Sequence, residues 1–269
     1  MTPSIFDFDK REVLRALRSQ RAETIAILED LSDDQWDTEI VPTWRTREVA
    51  GHFISTDQAS VNGTYLTWGF RRKPMRSIEE WNNTAAAKWA ERPVPDLMRA
   101  LEKYGRRFAR LMSLPPQGLS RIAFPNPFGK VSILWMGMLR VYDEWVHVED
   151  IRRALQLPAD DSVERLRPAA EFLLAGIPIQ TLPEIPAGAG GTVEIGFTDV
   201  DAPKLGVDLG TKTFGIGIST DAQISGPAAS LIMIAAGRDR WRETEEAGRL
   251  EIKGDRKAAE TLLDVLRVV

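Results

Sequence analysis

The apolar residues of this chain change their period once, and that change limits the fold more than any other feature. From Asp9 to about residue 176 they recur at helical spacing, as do Val13, Leu17, Ile25, Leu28 and Leu31. From Thr192 onward, TVEIGFT, LGVDL and FGIGIST alternate in the manner of short strands. A length of 269 residues exceeds the common size of a single domain. Two domains are therefore expected, divided near Pro158 and the DDS at 160–162: a helical bundle over 1–158 and a small α+β domain over 159–269. The fold class is α+β.

Within the bundle, the first helix is expected over 9–31 and a second from Thr46 towards Thr67. The Thr46 hydroxyl is placed to cap the second, and Glu48 to complement its dipole. A third is expected from near Pro95 through Leu111, and a fourth, the most apolar, from about Ser132 to Leu155. SDDQWDTEIVPTW and the Pro/Gly-rich SLPPQGLSRIAFPNPFGK read as connections, and TWGFRRKP as a break in the helical pattern. Four such helices read as a bundle. In the second domain a helix is expected over 164–176, then strands forming an antiparallel or mixed sheet. ISGPAASLIMIAAGR reads as a turn and a short buried helix, LEIKGD as a last strand and RKAAETLLDVLRVV as a closing helix.

Composition removes several function classes. The net charge is −4 and RRK at 71–73 is too short to be a basic cluster, which argues against a nucleic-acid partner. There is no cysteine, so disulfides, thiolate metal sites and a protein thiol nucleophile are excluded. No apolar run approaches 18 residues and the acidic N-terminus lacks the apolar core of a signal peptide. A cytoplasmic protein without a membrane partner is expected, as a monomer or homodimer.

The chain has only two histidines, and both fall on expected bundle helices. His147 follows Asp143 by four residues in RVYDEWVHVEDIRRAL, which puts the two side chains on one helix face with Cβ atoms roughly 5–6 Å apart. His52 offers a third ligand from another helix. Two imidazoles and a carboxylate with positions left open suit catalytic zinc, the expected ion, and also some iron or nickel chemistry. Met136, Arg140, Asp143, His147, Ile151 and Ala154 form one stripe, so charged groups lie among apolar ones and require compensation, which a metal ion supplies. Asp150 is placed to accept a hydrogen bond from the His147 ring. Glu144, three residues before His147, is the competing carboxylate. An Asp–His pair at this spacing is commonly a surface hydrogen bond, so spacing alone does not decide the matter. Trp68, Trp81, Trp89 and Trp135 read as core and rim packing.

PTWRTREVAGHFIS and RVYDEWVHVEDIRRAL, with the spacing between them, resemble the mycothiol-dependent maleylpyruvate isomerase family, whose N-terminal domain is a DinB-like metal-binding four-helix bundle. Trp44, Arg47, Glu48, Val49 and His52 match the segment that carries the family's first histidine. Asp143, His147 and Asp150 match the segment that carries its other two ligands. TVEIGFT, ISGPAASLIMIAAGR and LEIKGDRKAAETLL are similar to the family's C-terminal domain of sterol-carrier type. One departure is visible: glutamate is common at the family's carboxylate position, where this chain has Asp143 with Glu144 beside it.

The resemblance implies a divalent metal and mycothiol as thiol cosubstrate. The thiol would add to a small electrophile, giving an isomerase if it later departs and a transferase if the thioether is released. It also implies a C-terminal arginine for a substrate carboxylate, with Arg238, Arg249 and Arg256 as candidates. Two other readings stay open at this point. One is a metal-dependent hydrolase on the same scaffold, and the other a non-enzymatic binder of apolar ligands or stress-response protein.

Overall fold

The computed structural model describes residues 5–71, 75–126, 128–160 and 162–268. They divide into two compact units, residues 9–160 in one and residues 162–268 with the N-terminal segment 5–8 in the other.

The first unit opens with α1 (Lys10–Glu29), where the Asp9 side chain accepts from the amides of Arg11 and Glu12. Short α2 (Asp33–Trp36) and a hairpin of β1 (Glu39–Val41) and β2 (Trp44–Arg45) lead into α3 (Thr46–Val61). The cap of α3 differs from expectation. Thr46 is already helical and its hydroxyl donates to Gln35 O, while Glu48 Oε2 accepts from the Arg45 amide at 2.9 Å. Nor does this helix run unbroken to Thr67. Gly63, at φ 72°, takes a left-handed conformation that few other residues adopt, and α4 (Thr64–Phe70) starts afresh. Thr67–Phe70 are thus helical, whereas Arg72, Lys73 and Pro74, the rest of the expected break, lie outside the described residues.

Helix α5 (Met75–Ala90) was not expected at all. Its buried positions include Ile78, Ala86 and Ala90, while Asn82, Asn83 and Thr84 are weak helix formers that dilute its helical signal. It forms because α3 comes very close. A Cβ built on Gly51 would lie 2.5 Å from Ala86 O, so only glycine permits this approach. Then come α6 (Val94–Ser113), α7 (Gln117–Ser120), a hairpin of β3 (Ala123–Asn126) and β4 (Gly129–Ser132), and α8 (Ile133–Ala154). Ser132 caps α8, its hydroxyl accepting from the Trp135 amide at 3.1 Å. The long helices α1, α3, α6 and α8 make the bundle, with α5 against α3, around a core that includes Leu28, Trp36, Phe53, Leu97, Leu101 and Ile151.

The second unit contains α9 (Val163–Gly176), extended by a π-helical turn at Ile177–Thr181, and a five-stranded sheet. Its strands are β5 (Thr192–Phe197), β6 (Leu205–Asp208), β7 (Thr213–Ile216), β8 (Ala222–Gly226) and β9 (Glu251–Gly254), in the order β7-β6-β5-β8-β9. The sheet is mixed, because β8 runs parallel to β5 from Val193↔Ala222 to Phe197↔Gly226. Ile224–Gly226, expected as a turn, are the end of β8; the strand alternates buried and exposed residues over only five positions before Pro227 stops it. Helices α10 (Ala228–Ala235), α11 (Trp241–Glu246) and α12 (Arg256–Leu263) complete the unit. Nearly every residue of α10 is buried, as a helix apolar on all sides requires. No helix among the described residues is long and apolar enough to cross a membrane.

Candidate metal centre

His52 is on α3 and faces α8, where Asp143 and His147 stand one turn apart. One potential ligand atom from each of the three side chains lies within 4.8 Å of the other two, the arrangement of a candidate metal site. His52 Nε2 is 3.3 Å from both Asp143 oxygens, and His147 Nε2 is 3.8 Å from Asp143 Oδ1. A charge-assisted hydrogen bond would be shorter, about 2.7–2.9 Å. Two ligands held at about 2.0–2.1 Å from a tetrahedral zinc ion stand about 3.3–3.4 Å apart. The His52–Asp143 spacing is compatible with a shared cation, the 3.8 Å His147–Asp143 spacing is longer, and two nitrogens with one oxygen form a donor set that could hold a metal.

The surroundings prepare each side chain. His147 Nδ1 lies 3.2 Å from Asp150 Oδ2, which holds the ring and leaves Nε2 turned to Asp143. Burial pushes the His52 imidazole down against the pull of Asp143, so it is neutral near pH 7, the form that can ligate. Burial works against charge on Asp143, but His52, His147 and Arg140 outweigh it and hold the carboxyl well below the usual carboxylate range. The Trp44 ring, delivered by the β1–β2 hairpin, covers both imidazoles, with centroids 5.0 Å from His52 and 5.5 Å from His147. Its indole nitrogen donates to Asn83 Oδ1 on α5 at 3.1 Å.

A family model described as the mycothiol maleylpyruvate isomerase N-terminal domain matches residues 17–152, just over half of the chain and a span that includes His52, Asp143 and His147. The chain belongs to this family. Two crystal structures of the mycothiol-dependent maleylpyruvate isomerase, one of them of a mutant, share its fold. The mutant covers 94% of this chain and 96% of its own, at 15% identity and a TM-score of 0.60. The other covers 88% and 93%, at 15% identity and a TM-score of 0.58. Sterol Carrier Protein 2 Like 2 from Aedes aegypti covers 37% of this chain and 98% of its own, at 20% identity and a TM-score of 0.32. No curated protein sequence matches the chain.

Other residues singled out in this mycothiol maleylpyruvate isomerase family member are placed as follows. Glu144, the competing carboxylate, has its oxygens engaged elsewhere: Arg21 Nε at 2.7 Å, Arg21 Nη2 at 2.8 Å, the Thr24 hydroxyl at 2.6 Å and Arg140 Nη2 at 3.0 Å. Of the C-terminal arginines, Arg256 is bidentate to Glu245 and also binds Glu260. Arg238 donates to Ala236 O, and Arg249 is an exposed residue just ahead of β9. Trp135 is buried core, whereas Trp68 and Trp81 meet edge-on at 5.2 Å and both pack against Tyr65.

Sequence reasoning missed what surrounds Asp143. Phe53 and Asp57 are one turn apart on α3, so Arg140 lies 4.9 Å over the Phe53 ring while its Nε donates to Asp57 Oδ1 at 2.9 Å. Asp57 Oδ2 takes Arg21 Nη2 at 2.9 Å. Room for the Arg21 guanidinium is made by Gly105 on α6, where a Cβ would lie 2.2 Å from Arg21 Nη1. Arg140 had appeared in the α8 stripe, but nothing in the linear pattern pairs it with Asp57, 83 residues away.

Proposed function

We propose that His52, Asp143 and His147 hold one divalent metal ion, zinc in the first instance, and that the chain catalyses a mycothiol-dependent isomerase or S-transferase reaction on a small electrophile. The observation that carries the proposal is the convergence of two imidazoles and an ionised carboxylate at distances suited to a shared ion. Membership of the mycothiol maleylpyruvate isomerase family and a fold like that of the isomerase support the choice of reaction. The lack of cysteine is compatible with a nucleophilic sulfur that arrives on a cosubstrate.

A cation bound there would act as a Lewis acid, lowering the pKa of a thiol or polarising a carbonyl. The protein's own groups prepare that role. Asp150 fixes the His147 ring, Trp44 shields both imidazoles from water on one side, and Arg140 holds Asp143 in its ionised form. Arg238 and Arg249 remain candidates for a substrate carboxylate. Arg256 is the weakest of the three, since its guanidinium is committed to Glu245 and Glu260.

Elemental analysis of the purified chain, beside His147→Ala, tests the metal site. About one equivalent of divalent metal per chain is expected, with loss in the variant; equal metal in both would remove His147 from the site. Conversion of maleylpyruvate to its trans isomer in the presence of the thiol, and thiol consumption with other activated alkenes, each with and without added metal, test the reaction class. A rate that ignores the metal would overturn the proposed chemistry.

A further inference from the structure

Tyr65 is on α4, the helix that restarts after Gly63, and Trp44 is on the hairpin before α3, yet both reach the same turn of α5. The Tyr65 hydroxyl lies 3.4 Å from Asn82 Oδ1, and the Trp44 indole nitrogen lies 3.1 Å from Asn83 Oδ1. Trp44 in turn covers both imidazoles of the metal centre. The phenol is therefore anchored beside the site. Its electrostatics agree with that position. Burial first, and then the negative charges of Asp143 and Asp57, push the phenol above the usual tyrosine range, with Arg140 opposing them.

We propose that Tyr65 is a catalytic residue whose hydroxyl donates a hydrogen bond to the carbonyl oxygen of an α,β-unsaturated electrophile as that oxygen becomes an enolate. The inference rests on the reaction proposed above. In that reaction the thiolate sulfur forms a bond to the alkene carbon β to the carbonyl. The alkene π pair moves to join the α carbon and the carbonyl carbon, and the carbonyl π pair moves onto the oxygen, which becomes negative. The former double bond is now single and rotates. The electrons then return, the alkene re-forms in its trans geometry and the thiolate departs. Neither step transfers a proton, so the oxygen needs a donor that keeps its own. A hydrogen bond already aimed at the place where charge develops stabilises the enolate without reorganisation.

Three properties of Tyr65 suit this role. A phenol held above its ordinary range stays protonated near pH 7, so it is a donor and not a base. Its bond to Asn82, at 3.4 Å, is longer than the roughly 2.5–3.0 Å of an ordinary O–H···O bond, so the hydroxyl is only loosely committed and can turn to a ligand. The ring, by contrast, is fixed. Trp68 and Trp81 pack edge-on against it at 5.7 Å and 6.2 Å and meet each other at 5.2 Å. All three rings are half-buried, so the aromatic wall they form keeps one part open to a small molecule.

The test measures mycothiol-dependent isomerisation of maleylpyruvate by the full-length, metal-loaded chain for wild type, Tyr65→Phe and Tyr104→Phe. Calorimetric titration with maleylpyruvate in the absence of thiol, metal analysis and thermal melts accompany it. Tyr104 is the control, because its hydroxyl accepts from Gln58 Nε2 at 3.1 Å elsewhere in the bundle. Tyr65→Phe is expected to lower kcat about 100–1000-fold while it keeps its metal. It should bind maleylpyruvate much as wild type does, since the lost bond gains its strength only as charge develops. Tyr104→Phe should retain its kcat. An unchanged kcat in Tyr65→Phe overturns the role of Tyr65 and leaves the reaction standing. So does a loss that Tyr104→Phe shares, or one that comes with missing metal or with equally weakened maleylpyruvate binding. A wild-type chain that isomerises no substrate overturns the reaction and the role of Tyr65 together.

Discussion

Inside the helical unit Asp57, Arg140, Glu144, Asp150 and Arg152 are all buried, whereas the buried polar side chains described in the α+β unit are Thr181, Ser230 and Thr244, none of them charged. The α+β interior is filled by residues such as Val193, Ile195, Leu231 and Ile232, which lose nothing by leaving water. Charge buried in the bundle must be paired at close range, because an isolated ion in a low-dielectric interior is very costly. Such an interior contributes less stability than an apolar one of equal volume, yet it holds side chains in fixed directions. The contrast separates a unit organised around a polar site from one organised around packing.

The sharpest test of this contrast is Asp57→Ala. It leaves Arg21 and Arg140 short of a partner and should cost about 3–5 kcal/mol, read from urea unfolding, with metal retention weakened as well. A loss under about 1 kcal/mol would mean that Arg21 and Arg140 do not depend on Asp57. Leu231→Ala, in the fully buried face of α10, should cost about 3 kcal/mol as a cavity and leave metal stoichiometry unchanged. Loss of metal in that variant would break the division of labour between the units.

The smallest effect concerns the entry to α3. Burial pushes the Glu48 carboxyl up, but hydrogen bonds from the Arg45 side chain and amide prevail and hold it below its ordinary value. A carboxyl lowered on folding stabilises the folded state above the ordinary glutamate range and ceases to do so as pH falls below it. Glu48→Gln should therefore cost about 0.5–1 kcal/mol at pH 7, and the gap to wild type should close towards pH 3. A gap that persists in acid would assign the effect to packing rather than charge.

The elements most legible in the linear pattern were those with wide apolar stripes or clear caps. The helices expected over 9–31 and from Ser132 to Leu155 appear as α1 and α8, and the one near Pro95 as α6. Helix α5 escaped notice because Asn82, Asn83 and Thr84 dilute its middle with weak helix formers, and its close approach to α3 depends on Gly51, far away in the sequence. Strand β8 was hidden because five residues are too few for alternation to stand out beside the apolar run of α10. At the site, the His147 neighbourhood was legible because Asp143 and Asp150 share its helix at spacings that fix direction.

The pattern of residues by itself determined that the N-terminal part is helical, that strands follow, and that Asp143 and His147 share a helix face. Helical and strand periods are local properties, set within a few residues of one another. Only the tertiary structure decided that His52 meets that face, that Trp44 covers both imidazoles, and that Glu144 belongs to Arg21 and Arg140 instead of the histidines. Each of those facts depends on which helices pack together and in what rotation. That choice is made by the summed burial of the whole core, so no single segment carries it.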